Sequence, residues 1–450
     1  MAKSALITLG NEESYGLSFV GGELLEYGQE IKFFDGDDID IIQKVLDWRP
    51  AFLMFSPMTT FFKKALKIAS FLPEYISVFG GHHAMACPGI INDKNIDVVV
   101  VGPVRGSLEK IFAGSRGIIR TELTSPADLP KPARKQYFRD IPRASIRYRK
   151  FVLSMMGCPW DCAYCSSSSG HIKELFGAEA HKNYYLAHRP IEHVIEEVKE
   201  ICTYDTKEIQ WCDDDIFAGD ETWLLRFLGI WQRDISIPMY ATTTSISVLR
   251  ASDEILHELK KCCNVVGMGV QAIRPSSLKL FNRQWDYETK MKTAYDRLVK
   301  YGYRVNLQAI IGNPVDDPVE DAIETVLGLQ RIGDGSICSI YPLMIYPGTE
   351  LAKKGYELQD CNGDTNSAVG SIKFDTETNK RLFNICKLGT FFVKYNINED
   401  LIRALINIDL NPETSEKLSM LRYKECVIDR LGKTGKEIFS DILKETKFKF

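Results

Sequence analysis

Three cysteines stand close enough in sequence to share one piece of chemistry: Cys158, Cys162 and Cys165, in the run Met155-Met156-Gly157-Cys158-Pro159-Trp160-Asp161-Cys162-Ala163-Tyr164-Cys165. The spacing is C-x3-C-x2-C. One loop of that length can wrap three thiolates around a face of an iron–sulfur cube. Electron-transfer clusters usually take four cysteines, so three leave one iron open to chelate a small molecule. A zinc site is the alternative reading; it would need a fourth ligand, and His171 is near in sequence. Half of the chain's twelve cysteines, Cys87, Cys202, Cys212, Cys338, Cys386 and Cys426, read as isolated small buried hydrophobes. In a reducing compartment a tight cluster reads as metal or catalysis before disulfide.

A second candidate is the acidic run Asp213-Asp214-Asp215. Each aspartate could face a bound ligand. Each could equally serve a helix N-terminus, where the macrodipole favours negative charge.

The elements that must carry these groups follow from hydrophobic periodicity. Strands are expected at residues 5–9, 30–34, 51–55, 75–79 and 97–101, with helices at 18–27, 38–47 and 60–71 between the first four. This rhythm predicts a flavodoxin-like or Rossmann-like, doubly wound α/β domain over residues 1–112. Ligands of such sheets bind beyond the carboxyl ends of the strands. Residues 113–150, broken by six Gly and Pro and rich in Arg and Lys, read as a linker or wrapping segment and not as core. From 151 to 350 the alternation resumes. Strands are expected at 151–154, 208–211, 239–242, 265–270, 306–311 and 339–345, with helices at 191–203, 222–232, 253–261, 287–301 and 318–330. Six such units make a (β/α)6 partial TIM barrel, with its chemistry at the carboxyl ends of the strands. The cysteines follow the first of them. Residues 351–450 read as a mostly helical, polar region that shapes the substrate cavity, with a turn-rich segment at 360–367.

The cysteine motif, with Tyr164 before its last cysteine, resembles the radical S-adenosylmethionine (SAM) superfamily over roughly residues 150–350. The resemblance implies a [4Fe–4S] cluster on Cys158, Cys162 and Cys165. Its open iron would bind the amino and carboxylate groups of SAM, which reduction splits to a 5′-deoxyadenosyl radical. It further implies SAM contacts from Tyr164, from Asp213 and Asp214 at the end of the second strand, and from Gln271 in Val266-Gly267-Met268-Gly269-Val270-Gln271. Gly312 and Asn313 in Ala309-Ile310-Ile311-Gly312-Asn313-Pro314, and Tyr346 in Ile345-Tyr346-Pro347-Gly348-Thr349, complete the set. The third strand, Tyr240-Ala241-Thr242-Thr243-Thr244, departs from the pattern: it lacks the Arg that many cobalamin-binding members carry.

A doubly wound domain ahead of such a barrel resembles the cobalamin-binding radical SAM enzymes, and among them the class B methyltransferases. The residues that carry this are Phe55-Ser56-Pro57-Met58-Thr59-Thr60, Val78-Phe79-Gly80-Gly81-His82-His83 and Val100-Val101-Gly102-Pro103-Val104-Arg105-Gly106. The implied cobalamin contacts are Ser56, Met58, Thr59, Thr60, Gly80, Gly81, His83, Gly102 and Arg105. The Asp-x-His-x-x-Gly motif is absent and no histidine precedes His82, so a base-off cofactor with no His ligand is expected. The implied activity is C-methylation. A methyl group passes from SAM through methylcobalamin to an unactivated carbon after hydrogen abstraction by the 5′-deoxyadenosyl radical. The alternative is a non-methylating rearrangement, cyclisation or C–C bond formation. A methylthiotransferase would need a second cysteine-ligated cluster, and the first domain offers only Cys87.

With 450 residues, a net charge of −4 and no Lys/Arg block, nucleic acid is not an expected partner. A small-molecule or protein/peptide substrate and an electron donor such as ferredoxin or flavodoxin are. The first residues do not read as a signal peptide, and no apolar run is long enough to span a bilayer, so a cytoplasmic location without membrane insertion is expected.

Overall fold

Val98–Val101 is four consecutive valines, each no more than 4% exposed. A run without a polar face belongs inside a parallel sheet covered on both sides. The computed structural model, which describes residues 2–10, 13–333, 335–359, 370–424 and 432–444, places it there. The first sheet contains β1 (Lys3–Ile7), β2 (Glu30–Phe34), β3 (Phe52–Phe55), β4 (Ile76–Phe79), β5 (Val98–Val101) and β6 (Gly117–Arg120). Its order is β2-β1-β3-β4-β5-β6 and every pair is parallel. The order changes direction between β1 and β3, the switch point beyond which doubly wound sheets bind ligands.

The reading of residues 113–150 as a linker outside the core is corrected. β6 pairs with β5 over four residues, and Tyr137, Phe138 and Ile141 are at most 2% exposed. The prolines and glycines do punctuate this stretch. Between them, however, positions 137, 138 and 141 share one face of the helix Arg134–Asp140 and its end, enough to join the core.

The second sheet contains β7 (Arg149–Val152), β8 (Glu208–Trp211), β9 (Met239–Thr244), β10 (Cys263–Gln271), β11 (Arg304–Ile311) and β12 (Ile337–Pro342). All are parallel and in sequential order, forming a curled half-barrel. An open barrel leaves two strand edges with unpaired backbone groups. At β12 the helix Thr376–Lys394 covers the edge strand: Thr390 Oγ1 donates to the Cys338 carbonyl at 3.0 Å. Gly389 makes that approach possible, since a Cβ there would lie 2.4 Å from Ile340 Cδ1. Leu388, Phe391, Phe392 and Val393 on this helix are fully buried, so this part of the C-terminal region is core and not a polar tail.

At β7 the edge is sealed by side chains instead of a strand. Glu13 accepts the Phe151 N–H at 3.2 Å, and Tyr15 accepts the Leu153 N–H at 3.0 Å. Arg134 donates to the Phe151 carbonyl, and Arg189 donates to that of Leu153 at 2.8 Å. Glu197 pairs with both arginines. The turn-rich segment at residues 360–367 lies outside the described residues. Among the described residues no helix is long and apolar enough to cross a membrane.

Candidate active site

The cysteine loop leaves the carboxyl end of β7 and is pinned along its length. Asp213 holds its root, accepting from the N–H groups of Ser154 (2.7 Å) and Met155 (3.0 Å), from Ser154 Oγ (2.5 Å) and from Trp211 Nε1 (3.0 Å). Gly157 turns the chain at φ +109, where a Cβ would meet the Tyr185 ring at 2.1 Å. The Tyr185 hydroxyl accepts the Cys158 N–H at 2.9 Å and donates to the Ser167 carbonyl. Further on, Ala163 N–H donates to Phe281 O at 3.0 Å, Asn282 Nδ2 to Asp161 O at 2.8 Å, and Leu351 N–H to Ala163 O at 2.9 Å. The Ser167 N–H donates to Cys165 Sγ at 3.4 Å.

The donor set suits an iron–sulfur cube. Three thiols share one braced loop, and each lies within the electrostatic reach of another. Zinc gathers its ligands about 2.3 Å from a single ion. Among the described residues no three His, Cys, Asp or Glu side chains are gathered in that way. Burial pushes the Cys158 thiol up and that of Cys165 to about 12, so both thiols hold their protons at neutral pH.

The three aspartates after β8 have separate tasks. Asp213 is committed to the loop root. Asp215 is buried and accepts from Ser247 Oγ (2.6 Å), Thr243 Oγ1 (2.8 Å), Thr244 Oγ1 (3.0 Å) and Trp160 Nε1 (3.4 Å), tying the cysteine loop to the end of β9. The strand without the expected Arg therefore supplies hydroxyls that hold a carboxylate. Only Asp214 is exposed. Protein nonetheless surrounds it, and that desolvation, followed by the charges of Asp213 and Asp215, pushes its carboxyl up to about 7. Asp214 is thus reached by solvent while protein surrounds it.

Of the other expected SAM contacts, Tyr164 packs edge-on to Phe281 with ring centroids 4.8 Å apart. Gln271 ends β10 at φ +67, where the register with β11 shifts. Gly312 lies at the end of β11 beneath Leu382 and Phe374 of the C-terminal region. Tyr346 opens a turn whose Thr349 donates to its carbonyl at 2.7 Å. Asn313 is fully buried; its Nδ2 donates to Asp321 at 2.8 Å, anchoring the helix Pro318–Ile332, while its Oδ1 has no hydrogen-bond partner.

In the first domain, Ser56, Met58, Thr59, Thr60, Gly80, Gly81 and Gly102 all follow β3, β4 or β5. Gly81, at φ +80, lies so close to Ser56 that a Cβ would be 2.4 Å from its Oγ. Thr60 Oγ1 is buried without a hydrogen-bond partner, and Met58 is 41% exposed. Two further expected contacts are engaged within the protein. Arg105 is paired with Glu23 at 3.1 Å and Glu26 at 2.6 Å, which locks its loop to the first helix. His83 is buried, stacked on Phe62 at 4.3 Å and hydrogen-bonded to Thr59 Oγ1 at 3.1 Å. It is His82, about 100° further round the helix Gly81–Ala86, that solvent reaches. Protein also surrounds His82, and burial, then the charge of His171, holds its imidazole below the ordinary range.

The two domains meet through these loops. His171 and Phe176 lie on the helix Ser169–Phe176, directly after the cysteine loop. A Cβ on Gly348 would touch both His171 (2.5 Å) and Ala86 (3.1 Å), and one on Gly102 would lie 3.3 Å from Phe176. The carboxyl ends of the two sheets therefore open toward one another.

The residue that sequence reasoning missed is Arg283. Buried, it bridges Cys162, Tyr164, the Gly269 carbonyl and Asp286. The signal available was its place in Leu280-Phe281-Asn282-Arg283 after β10; its contact with the cysteine loop spans 121 positions.

Residues 152–326 match the radical SAM superfamily. The whole chain shares its two-part fold with two solved cobalamin-dependent radical SAM proteins. The methyltransferase TsrM from Kitasatospora setae, solved with cobalamin and a [4Fe–4S] cluster, superposes with a TM-score of 0.63 at 14% identity, covering 99% of both chains. The cobalamin-dependent radical SAM enzyme OxsB, solved with aqua-cobalamin and S-adenosylmethionine, gives 0.63 at 14% identity, covering 100% of this chain and 76% of that one. A curated relative, an uncharacterized methyltransferase of Pyrococcus horikoshii, is 25% identical over 202 residues. That match takes in 44% of this chain and 40% of the relative's length.

Proposed function

We propose that this chain is a cobalamin-dependent radical SAM C-methyltransferase. It would move a methyl group from SAM to an unactivated carbon of a small molecule or peptide. The observation that carries the reading is the facing of the two sheets' carboxyl ends, with Asp214 and His82 open in enclosed surroundings. Cys158, Cys162 and Cys165 would hold the cluster. The loops around Ser56, Gly81 and Gly102 would hold the corrinoid, with close backbone approach at Gly81. When bound, these groups supply the electron that splits SAM and the carrier for the methyl group.

The chain's own part is positioning and shielding. Asp213, Asp215 and Tyr185 hold the cysteine loop rigid. Asp214 offers a carboxylate to the SAM ammonium. Phe374 and Leu382, over Gly312, wall the site on the side of the C-terminal region and exclude water.

The test is anaerobic reconstitution of the full chain. About four irons per chain, retained corrinoid, and release of 5′-deoxyadenosine and S-adenosylhomocysteine with a substrate are expected. Cys158→Ala, Cys162→Ala and Cys165→Ala should each lose the iron. Full iron in all three variants would refute the cluster assignment. A product lacking the added methylene would refute methylation.

A further inference from the structure

Arg283 carries a permanent charge into the interior, with its side chain 2% exposed. Such burial is costly unless the charge is paired and hydrogen-bonded. Asp286 supplies the pairing, and the Gly269 carbonyl accepts at 2.9 Å. The remaining contacts go further than charge balance requires. Nη1 donates to Cys162 Sγ at 3.8 Å and to the Tyr164 hydroxyl at 3.4 Å. The guanidinium lies over the Trp285 ring at 4.9 Å, and Trp285 packs on Trp160 of the cysteine loop at 5.0 Å. Asp286 is itself fixed by Ser245. The guanidinium thus reaches the cysteine loop at two residues and through one stacked ring, and one of those contacts is a sulfur.

We propose that Arg283 is a positioning residue for the cluster: it orients Cys162 as a ligand and raises the cluster's reduction potential through an N–H···S bond and its buried charge. The inference rests on the reading of Cys158, Cys162 and Cys165 as cluster ligands. A low-potential one-electron donor adds one electron to the cube, which becomes more negative by one charge. Donors to the ligand sulfurs and nearby positive charge stabilise that reduced state. In a dry interior this stabilisation is little screened. Asp286 opposes it, so removing Arg283 and neutralising Asp286 must act in opposite directions.

The experiment is an EPR-monitored titration of the reconstituted full chain with dithionite and redox mediators. For Arg283→Gln the reduced-to-oxidised ratio at a fixed poise should fall about tenfold, a shift of about 59 mV to more negative potential. For Asp286→Asn the shift should be positive. Arg283→Gln protein that keeps its iron and its wild-type potential would overturn the proposal. Should that variant not fold, an unmoved potential in Asp286→Asn does the same, and loss of the fold in both assigns the pair to structure alone and also overturns it. Wild-type protein that takes up no iron defeats the cluster reading itself, which keeps the two failures distinct.

Discussion

Tyr15 and Leu153 lie 138 positions apart, and the hydroxyl of the first accepts the backbone N–H of the second at 3.0 Å. Leu153 is the residue after β7, from which the cysteine loop springs. The first domain therefore does more than face the barrel: its side chains stand in for the strand that β7 lacks on its outer side. The seal is charged and buried, with Arg134 and Glu13 at zero side-chain exposure.

Removing one member of a buried ion network leaves its partners unpaired. Arg134→Met should cost about 3–5 kcal/mol of stability, read from denaturant unfolding. Tyr15→Phe removes the acceptor of the Leu153 N–H and of the longer bond from Arg189, and should cost about 1–3 kcal/mol. If Arg134→Met unfolds at the wild-type midpoint, the seal contributes nothing to stability.

Asp214 gives the protein a definite response to pH. Its carboxyl is raised from 3.8 to about 7 by desolvation and by its two acidic neighbours. The folded state therefore binds the proton more tightly than the unfolded chain. The group's favourable contribution is complete below about pH 4 and is lost as pH rises toward 7. Asp214→Asn should melt above wild type at pH 8, and the difference should close toward pH 4. In the proposed site SAM binding would draw on the ionised form, so wild-type affinity should rise between pH 6 and 8 and that of Asp214→Asn should not. Parallel pH profiles for the two proteins would remove Asp214 from the SAM site.

The adjacent histidines separate structure from binding. His83→Ala loses the Thr59 hydrogen bond and the Phe62 stack, and should destabilise by about 1–3 kcal/mol. His82→Ala should leave the melting temperature within error and lower corrinoid retention on reconstitution. The reverse pattern would return His83 to the cleft.

Much of this architecture was legible because its determinants are local. The runs at 30–34 and 208–211 match the observed strands, and the helix expected at 38–47 is seen at Asp38–Trp48. Strand alternation and helical spacing are written within a dozen residues. The strand Gly117–Arg120 was not legible: only Ile119 of its four residues is buried, so it carries no period-two signal, and its place depends on β5 beside it. Asp213, Asp214 and Asp215 were indistinguishable by type. Their separate tasks follow from which way each side chain leaves the end of β8.

The sequence by itself determined the cysteine spacing, and with it a three-thiolate loop at the end of a strand, along with the two parallel α/β layers. Both are encoded in near neighbours. Only the tertiary structure decided that Tyr15 and Arg134 brace that loop's root, that Arg283 reaches Cys162, and that Arg105 is held by Glu23 and Glu26. Arg134 lies 17 positions from Phe151, and the other contacts join residues 79 to 138 positions apart. Nothing in the local pattern of a charged or hydroxyl side chain specifies a partner at that distance; the packing of the two sheets does.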